Sequence, residues 1–172
     1  SSDVCSSDLQ SRTNIHSKVL NTLKKNILSL TYKKLKIGVL TIVTRNYFKI
    51  YEEALFIKKN YCKFHNYDFI FDIIDNDVYP LGKGWLKIYK LKEHLKNYDY
   101  IFLSDADVVI TNRDIRIEDI LLKYESDNKF LYLTTDYNSI NTGNTIWKNC
   151  YQAYDFIDSV LDIGNNPIRN SI

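Results

Sequence analysis

Two carboxylates one residue apart, Asp105 and Asp107, close an apolar run in the segment Tyr98–Asn112, YDYIFLSDADVVITN. A buried carboxylate without a partner is strongly destabilising, so a pair in this position calls for a cation. Hard divalent ions such as Mn²⁺ or Mg²⁺ take carboxylate oxygens and keep open positions for phosphate. The pair therefore reads as a metal–diphosphate site. Asp105 would hold the ion through water or contact a ribose, and Asp107 would ligate it directly. The ion would offset charge on a leaving nucleoside diphosphate. A turn in which one Asp caps and the other is solvated fits the same two residues.

Three further clusters could serve such a site. Asp136–Asn144, DYNSINTGN, sets Asp136, Asn138, Asn141 and Asn144 around Gly143. Amides and a carboxylate bond sugar hydroxyls well, and a glycine lets backbone approach a ligand. An ordinary β-turn uses the same residue types. Lys87, two residues after Trp85, would reach a phosphate as a point charge, with Trp85 beside the sugar. The alternative is a core Trp at a helix start beside a solvated Lys. Thr44, Arg45 and Asn46 would meet a nucleotide base or ribose, or Thr44 or Asn46 would cap a helix. Asp75 belongs to a polar group, Asp75–Asp77, placed to join them. His65 and His94 fall inside helical patterns and read as structural or surface residues, and His16 lies in an N-terminal arm. G-x-S-x-G, P-loop and H-E-x-x-H motifs are absent from the sequence.

The elements that must carry these residues follow from periodicity. Lys36–Thr44, KIGVLTIVT, is a continuous apolar, β-branched run, as in a strand covered on both faces. Tyr47–His65 has Ile50, Ala54, Ile57 and Tyr61 at helical spacing. Tyr67–Ile74 reads as a strand, Ile74–Gly84 as a loop and Trp85–Tyr98 as a helix. Asp99–Leu103 is the third strand, with a second apolar run at Val108–Ile110. Ile117–Tyr124 reads as a short helix and Lys129–Thr135 as a strand. Asp136–Asn144 reads as a polar turn, Thr145–Trp147 as a returning strand and Cys150–Ile163 as a helix. Gly164–Pro167 supplies helix-stop residues. Alternating strands and helices predict a doubly wound α/β sheet. Ligands bind such sheets at the carboxyl ends of the strands, where Thr44–Asn46, Asp75–Asp77 and Asp105–Asp107 all fall.

Bulk properties set the limits. The 172 residues suffice for one domain with a core, and 45% apolar with 26% charged residues is ordinary globular usage. Lys+Arg less Asp+Glu is 23 − 21 = +2. Lysines concentrate between Lys18 and Lys36 but alternate with apolar residues, which suits a solvated helix face better than a nucleic-acid surface. Within Ser17–Lys34, Leu20, Leu23, Ile27 and Leu30 have helical spacing, which predicts a peripheral helix. The sequence has no run long enough to span a membrane. Ser1–Leu9, SSDVCSSDL, resembles a translated sequencing-adapter tail and carries Cys5. Residues 1–35 are therefore set apart as a non-native tail plus that helix, and 36–172 form the working domain. Cys62 and Cys150 have no C-x-x-C spacing and read as core residues or free thiols.

In this order, apolar strand–Thr–x–Asn–Tyr, His65-Asn66-Tyr67, Trp85-x-Lys87, Asp105-x-Asp107 and Asn141-x-Gly143 before Trp147-Lys148-Asn149 resemble a known family. They are similar to the galactosyl/mannosyltransferases of GT-A fold that include yeast α-galactosyl- and mannosyltransferases and plant xyloglucan xylosyltransferases. The likeness covers about Lys36–Ile163. It implies a Rossmann-like, mostly parallel sheet flanked by helices. It also implies Mn²⁺- or Mg²⁺-assisted transfer, with retention, from a UDP- or GDP-sugar to a glycan or protein acceptor. Asp105 and Asp107 would ligate the metal, and the Asn141–Gly143 region would contact the sugar. Asn66 stands where the family has Gly, and Lys148 where it has Arg. The resemblance further implies a missing C-terminal acceptor half that carries a third metal ligand, often a His. A preceding membrane anchor would imply the Golgi lumen, and its absence the cytoplasm. Two rival readings are a haloacid-dehalogenase-like phosphatase, with Asp105 as nucleophile and Asp107 as general acid, and an inert nucleotide-sugar-binding module. Against the phosphatase, two strand–helix units precede the aspartates and no downstream double-Asp motif follows.

Overall fold

The run IGVLTIVT forms an interior strand because its residues can be covered on both faces. In the computed structural model β1 is Ile37–Thr44, and Val39, Leu40 and Thr41 are fully buried. The structure describes residues 18–20, 22, 23, 26, 35–75, 83–124 and 128–165. The chain divides into one unit of Leu35–Arg116 with Ser126–Ile172 and another of Ser1–Lys34 with Ile117–Glu125.

In the larger unit, β1 is followed by a 3-10 turn, Arg45–Tyr47, and helix α1, Phe48–His65. Strand β2 is Asp68–Ile74, helix α2 is Lys83–Leu95 and strand β3 is Tyr100–Ser104. In the smaller unit, helix α3 is Ile117–Lys123, with Ile117 and Leu121 buried, and positions 18–20, 22, 23 and 26 are helical. Strands β4, Leu131–Asp136, and β5, Ser139–Lys148, precede helix α4, Tyr151–Asn165, in the larger unit.

The sheet order is β2-β1-β3-β5-β4. Strand β1 pairs in parallel with β2 and β3, and β5 pairs antiparallel with β3 and β4. All strands but β5 therefore run in one direction, which matches the mostly parallel sheet expected. Helices cover both faces. On one face Leu40, Leu103 and Trp147 pack with Leu91 and Leu95 of α2 and Ile157 of α4. On the other, Val43 packs with Leu55 of α1 and with Ala106. Burying one such Leu or Ile contributes about 1.5–3 kcal/mol. Lys36 and Asp99 bracket the start of β1 and β3 through two bonds, Lys36 N to Asp99 Oδ2 at 2.7 Å and Asp99 N to Lys36 O at 2.8 Å.

Several expectations change. The polar turn Asp136–Asn144 is mostly strand: the chain reverses at Tyr137–Asn138, and Ser139 onward belongs to β5. Ser139, Ile140 and Asn141 pair with Asp136, Thr135 and Thr134 of β4, and Asn144 pairs with Ser104 of β3, so composition misread an extended segment as a turn. Val108–Ile110 is loop, and Val109 is 46% exposed, because that run follows the end of β3 and has no strand partner. Ile50 points outward at 68% exposure, and the buried stripe of α1 runs through Ala54, Leu55, Lys58, Tyr61 and Cys62. Helix α4 ends at Asn165, within the Gly164–Pro167 stretch expected to stop it, and Gly164 in its last turn also has a packing role. A Cβ there would meet the Trp85 ring at 2.7 Å, so only glycine lets the helix approach that ring. Cys62 and Cys150 are free thiols, and burial pushes the Cys62 thiol up to about 12. Among the described residues no helix is long and apolar enough to cross a membrane.

Helix α1 ends at Asn66, whose backbone is left-handed (φ 60°, ψ 41°) and whose N–H bonds Cys62 O. That conformation is why Gly would suit position 66 and why Asn, the most tolerant other residue, can replace it. Asn66→Ala should lose about 1 kcal/mol of stability in urea denaturation, whereas Asn66→Gly should lose none.

Candidate functional site

The carboxyl end of β3 delivers Asp105 into a cleft of about 260 Å³ lined also by Ile42, Thr44, Gly84, Lys87 and Ser104. Asp105 is held from several sides. Its N–H donates to Gly143 O at 2.8 Å, and its carbonyl accepts from the Lys58 ammonium. Its carboxylate lies 3.1 and 3.4 Å from Lys87 Nζ, which also reaches Thr142 O at 3.3 Å. A Cβ on Gly143 would stand 3.1 Å from Asn141 Oδ1 and 3.2 Å from Asp105 Oδ2, so any other residue would crowd both side chains.

A bulge makes that approach possible. Leu133 pairs with Thr145, but the next residue, Thr134, pairs with Asn141. Thr142, Gly143 and Asn144 thus have no partner in β4, and they turn toward the end of β3, where Ser104 pairs with Asn144. Such bulges re-aim a strand beside functional sites. Beyond Gly143 the hydrogen bonds continue outward. Gly143 N–H donates to Asn141 Oδ1 at 2.8 Å, and Asn141 Nδ2 donates to Asp136 Oδ2 at 2.8 Å. Asn138 N–H donates to Asp136 Oδ1 at 2.7 Å. The Asn141 bond, then the Asn138 bond, hold the Asp136 carboxyl below the usual carboxylate range.

The fold thus brings together Asp105, Lys87, Thr44, Asn141, Gly143 and Asp136. Asp107 follows on the exposed side of the turn, and among the described residues no hydrogen bond or ion pair holds its carboxylate. Other candidates stand apart. Arg45 and Asp75 leave the ends of adjacent strands and pair with each other, Nε to Oδ1 at 2.6 Å, at 66% and 65% exposure. Their mutual hydrogen bond and charge raise the Arg45 value and lower that of Asp75. Asn46 is exposed in the 3-10 turn, and neither the Thr44 cap nor the α1 cap makes a side-chain capping bond, so capping explains neither residue. Asn138 contributes its backbone in the hairpin turn. Trp85 packs on the core and lines a neighbouring apolar cavity of about 350 Å³, bounded also by Leu131, Leu133, Trp147 and Phe156. Asn76 and Asp77 lie outside the described residues.

Lys58 was not singled out from the sequence. It is completely buried, and burial pushes its ammonium down to about 8, against the pull of Asp107 and Asp105. The available signal was its position, four residues after Ala54 and three before Tyr61 on the apolar stripe of α1. A lysine there must find partners or lose its charge.

The donor set suits a hard cation. Asp105 and Asp107 offer carboxylate oxygens alone, and among the described residues no third His, Cys, Asp or Glu gathers with them.

Residues 24–129 match the family described as the galactosyl transferase GMA12/MNN10 family. The chain belongs to this family. The match includes Arg45, Lys58, Lys87, Asp105 and Asp107 and stops before β4. An uncharacterized alpha-1,2-galactosyltransferase of Schizosaccharomyces pombe is 31% identical over 90 residues, 48% of this chain and 24% of that protein. A probable xyloglucan 6-xylosyltransferase 3 of Arabidopsis thaliana is 26% identical over 123 residues, 65% of this chain and 26% of that protein. The chain therefore spans about a quarter of the length of these curated relatives. In fold it resembles a glycosyltransferase involved in glycosylation of the major capsid of PBCV-1, at 16% identity and a TM-score of 0.57 over 80% of this chain and 70% of that one. Family membership removes the phosphatase reading.

The Lys87–Asp105 pair is partly solvated, with the two side chains 22% and 39% exposed, so its coupling is screened. A double-mutant cycle with Lys87→Met and Asp105→Asn in urea should return about 0.5–1 kcal/mol.

Proposed function

We propose that this chain is the donor-binding part of a metal-assisted glycosyltransferase. It would hold a UDP- or GDP-sugar from which a hexose or pentose passes to a hydroxyl of a glycan or protein acceptor. The observation that carries this reading is the convergence on Asp105. At the rim of the sheet a cationic side chain from α2 meets the Asp105 carboxylate, and a glycine-containing bulge from β5 accepts from the Asp105 backbone N–H. That arrangement supports a reading in which an anion, a cation and sugar hydroxyls would be held at this rim.

Asp107 and Asp105 would hold Mn²⁺ or Mg²⁺. Bound there, the ion would supply charge neutralisation for the departing nucleoside diphosphate. Lys87 would exchange part of its contact with Asp105 for a phosphate oxygen, adding a second positive charge at the leaving group. Asn141 and Asp136, already linked to each other, would present amide and carboxylate groups to sugar hydroxyls. Thr44 and Arg45 would face the nucleoside, with Arg45 released from Asp75. Retention of configuration is what the family resemblance implies for the transfer.

Calorimetric titration of the chain with UDP and with GDP, each with MnCl₂ or with EDTA, tests the reading. Binding of at least one nucleotide should require the metal. Asp107→Asn should weaken it by about 10–100-fold with little change in melting temperature. Equal affinity in EDTA, or binding untouched by Asp107→Asn, would sink the metal-assisted assignment.

A further inference from the structure

Helix α1 grips the segment that follows β3 through three side chains on one face. Lys58, Tyr61 and His65 are spaced i, i+3 and i+7, which aligns them along the helix. Each meets a backbone carbonyl of the loop between Asp105 and Arg116. The Lys58 ammonium donates to Asp105 O, Tyr61 OH donates to Ile115 O at 2.9 Å, and His65 Nε2 meets Arg113 O at 2.5 Å. A carbonyl can only accept, so His65 carries its proton on Nε2. The grip is supported behind the helix end. The His65 ring stacks on Tyr67 at 5.4 Å, and Tyr61 meets both rings, at 4.7 Å from His65 and 5.7 Å from Tyr67. At the loop's far end the Arg113 guanidinium lies 4.8 Å over the Phe64 ring.

We propose that α1 is a three-point clamp on the metal-bearing loop, and that Lys58, Tyr61 and His65 are positioning residues for Asp105 and Asp107. The idea rests on the metal reading above. The loop that carries both carboxylates has no strand or helix of its own up to Arg116, so its backbone groups need partners from elsewhere. Lys58 supplies the contact nearest the aspartates. A lysine with no exposed surface is a costly way to fill space, and an apolar residue would pack there without losing hydration. Its hydrogen bond to Asp105 gives that cost a purpose. Tyr61 and His65 then fix where the loop returns. The clamp also gives the His65-Asn66-Tyr67 motif a task. Asn66 ends the helix so that Tyr67 can stack back on His65, and His65 reaches the loop.

The test uses Lys58→Met, Tyr61→Phe, His65→Ala and His65→Gln, with Ile157→Ala as a destabilising control on the other face of the sheet. Two readouts are taken on each folded variant. One is hydrogen exchange of peptides spanning residues 105–116, and the other is Mn²⁺ affinity by electron paramagnetic resonance, with and without UDP. Lys58→Met, Tyr61→Phe and His65→Ala should speed exchange in that loop and weaken Mn²⁺ by about tenfold. His65→Gln, which keeps a donor, should restore both, and Ile157→Ala should change neither. Faster exchange with unchanged Mn²⁺ affinity overturns the proposal, because the contacts would then be merely structural. Unchanged exchange in all three clamp variants also overturns it. If Lys58→Met does not fold, the Tyr61 and His65 variants decide by the same criteria. If the unaltered chain binds no Mn²⁺, the metal reading fails, and loop exchange alone then decides whether the clamp exists.

Discussion

The site depends on how one residue is fixed. Asp105 has its N–H bound by Gly143, its carbonyl bound by Lys58 and its carboxylate beside Lys87. Those partners come from β5 within the sheet and from α1 and α2 on its two faces. A carboxylate at a strand end normally has many rotamers and much water to choose from. Here the backbone on either side is committed, so the side chain is confined to the mouth of the cleft. Preorganisation of this kind lowers the entropy lost when a ligand binds.

The antiparallel strand is what completes the rim. Strands β1, β2 and β3 alone would bring only their own carboxyl ends together. Strand β5 runs the other way, so its early residues, Asn141 and Gly143, arrive where β3 finishes. The stretch Thr142–Asn144, which has no partner in β4, then allows Gly143 to close on Asp105. The glycine matters because any side chain would meet Asp105 and Asn141 at 3.1–3.2 Å. A network from Asp136 through Asn141 to Gly143 joins the hairpin to the aspartate.

The strands and most helices were legible because their apolar patterns are strong. KIGVLTIVT cannot sit anywhere but between two covered faces, and Leu91 and Leu95 announce the inner side of α2. Where reading failed, local composition competed with long-range pairing. Asp136–Asn144 has the residues of a turn but is held extended by neighbours that lie far away in sequence. Gly164 falls where the helix was expected to stop, and only the fold shows that it also makes room for the Trp85 ring. Arg45 and Asp75 stand at the ends of adjacent strands, and only the fold shows that they pair with each other.

By itself, the sequence determined the α/β alternation, the placement of Asp105 and Asp107 at a strand end and the order of motifs that marks the family. Those features are local, written in periodicity and in short spacings. Only the tertiary structure decided which polar residues share the cleft and that β5 enters the sheet antiparallel. It alone showed that Lys58 lies buried beneath the aspartates with Tyr61 and His65 along the same helix face. These depend on contacts between segments well separated in sequence, such as Lys58 with Asp105 across 47 positions. No local pattern encodes such a partner, because a buried lysine finds its acceptor only once the helix and the loop have packed.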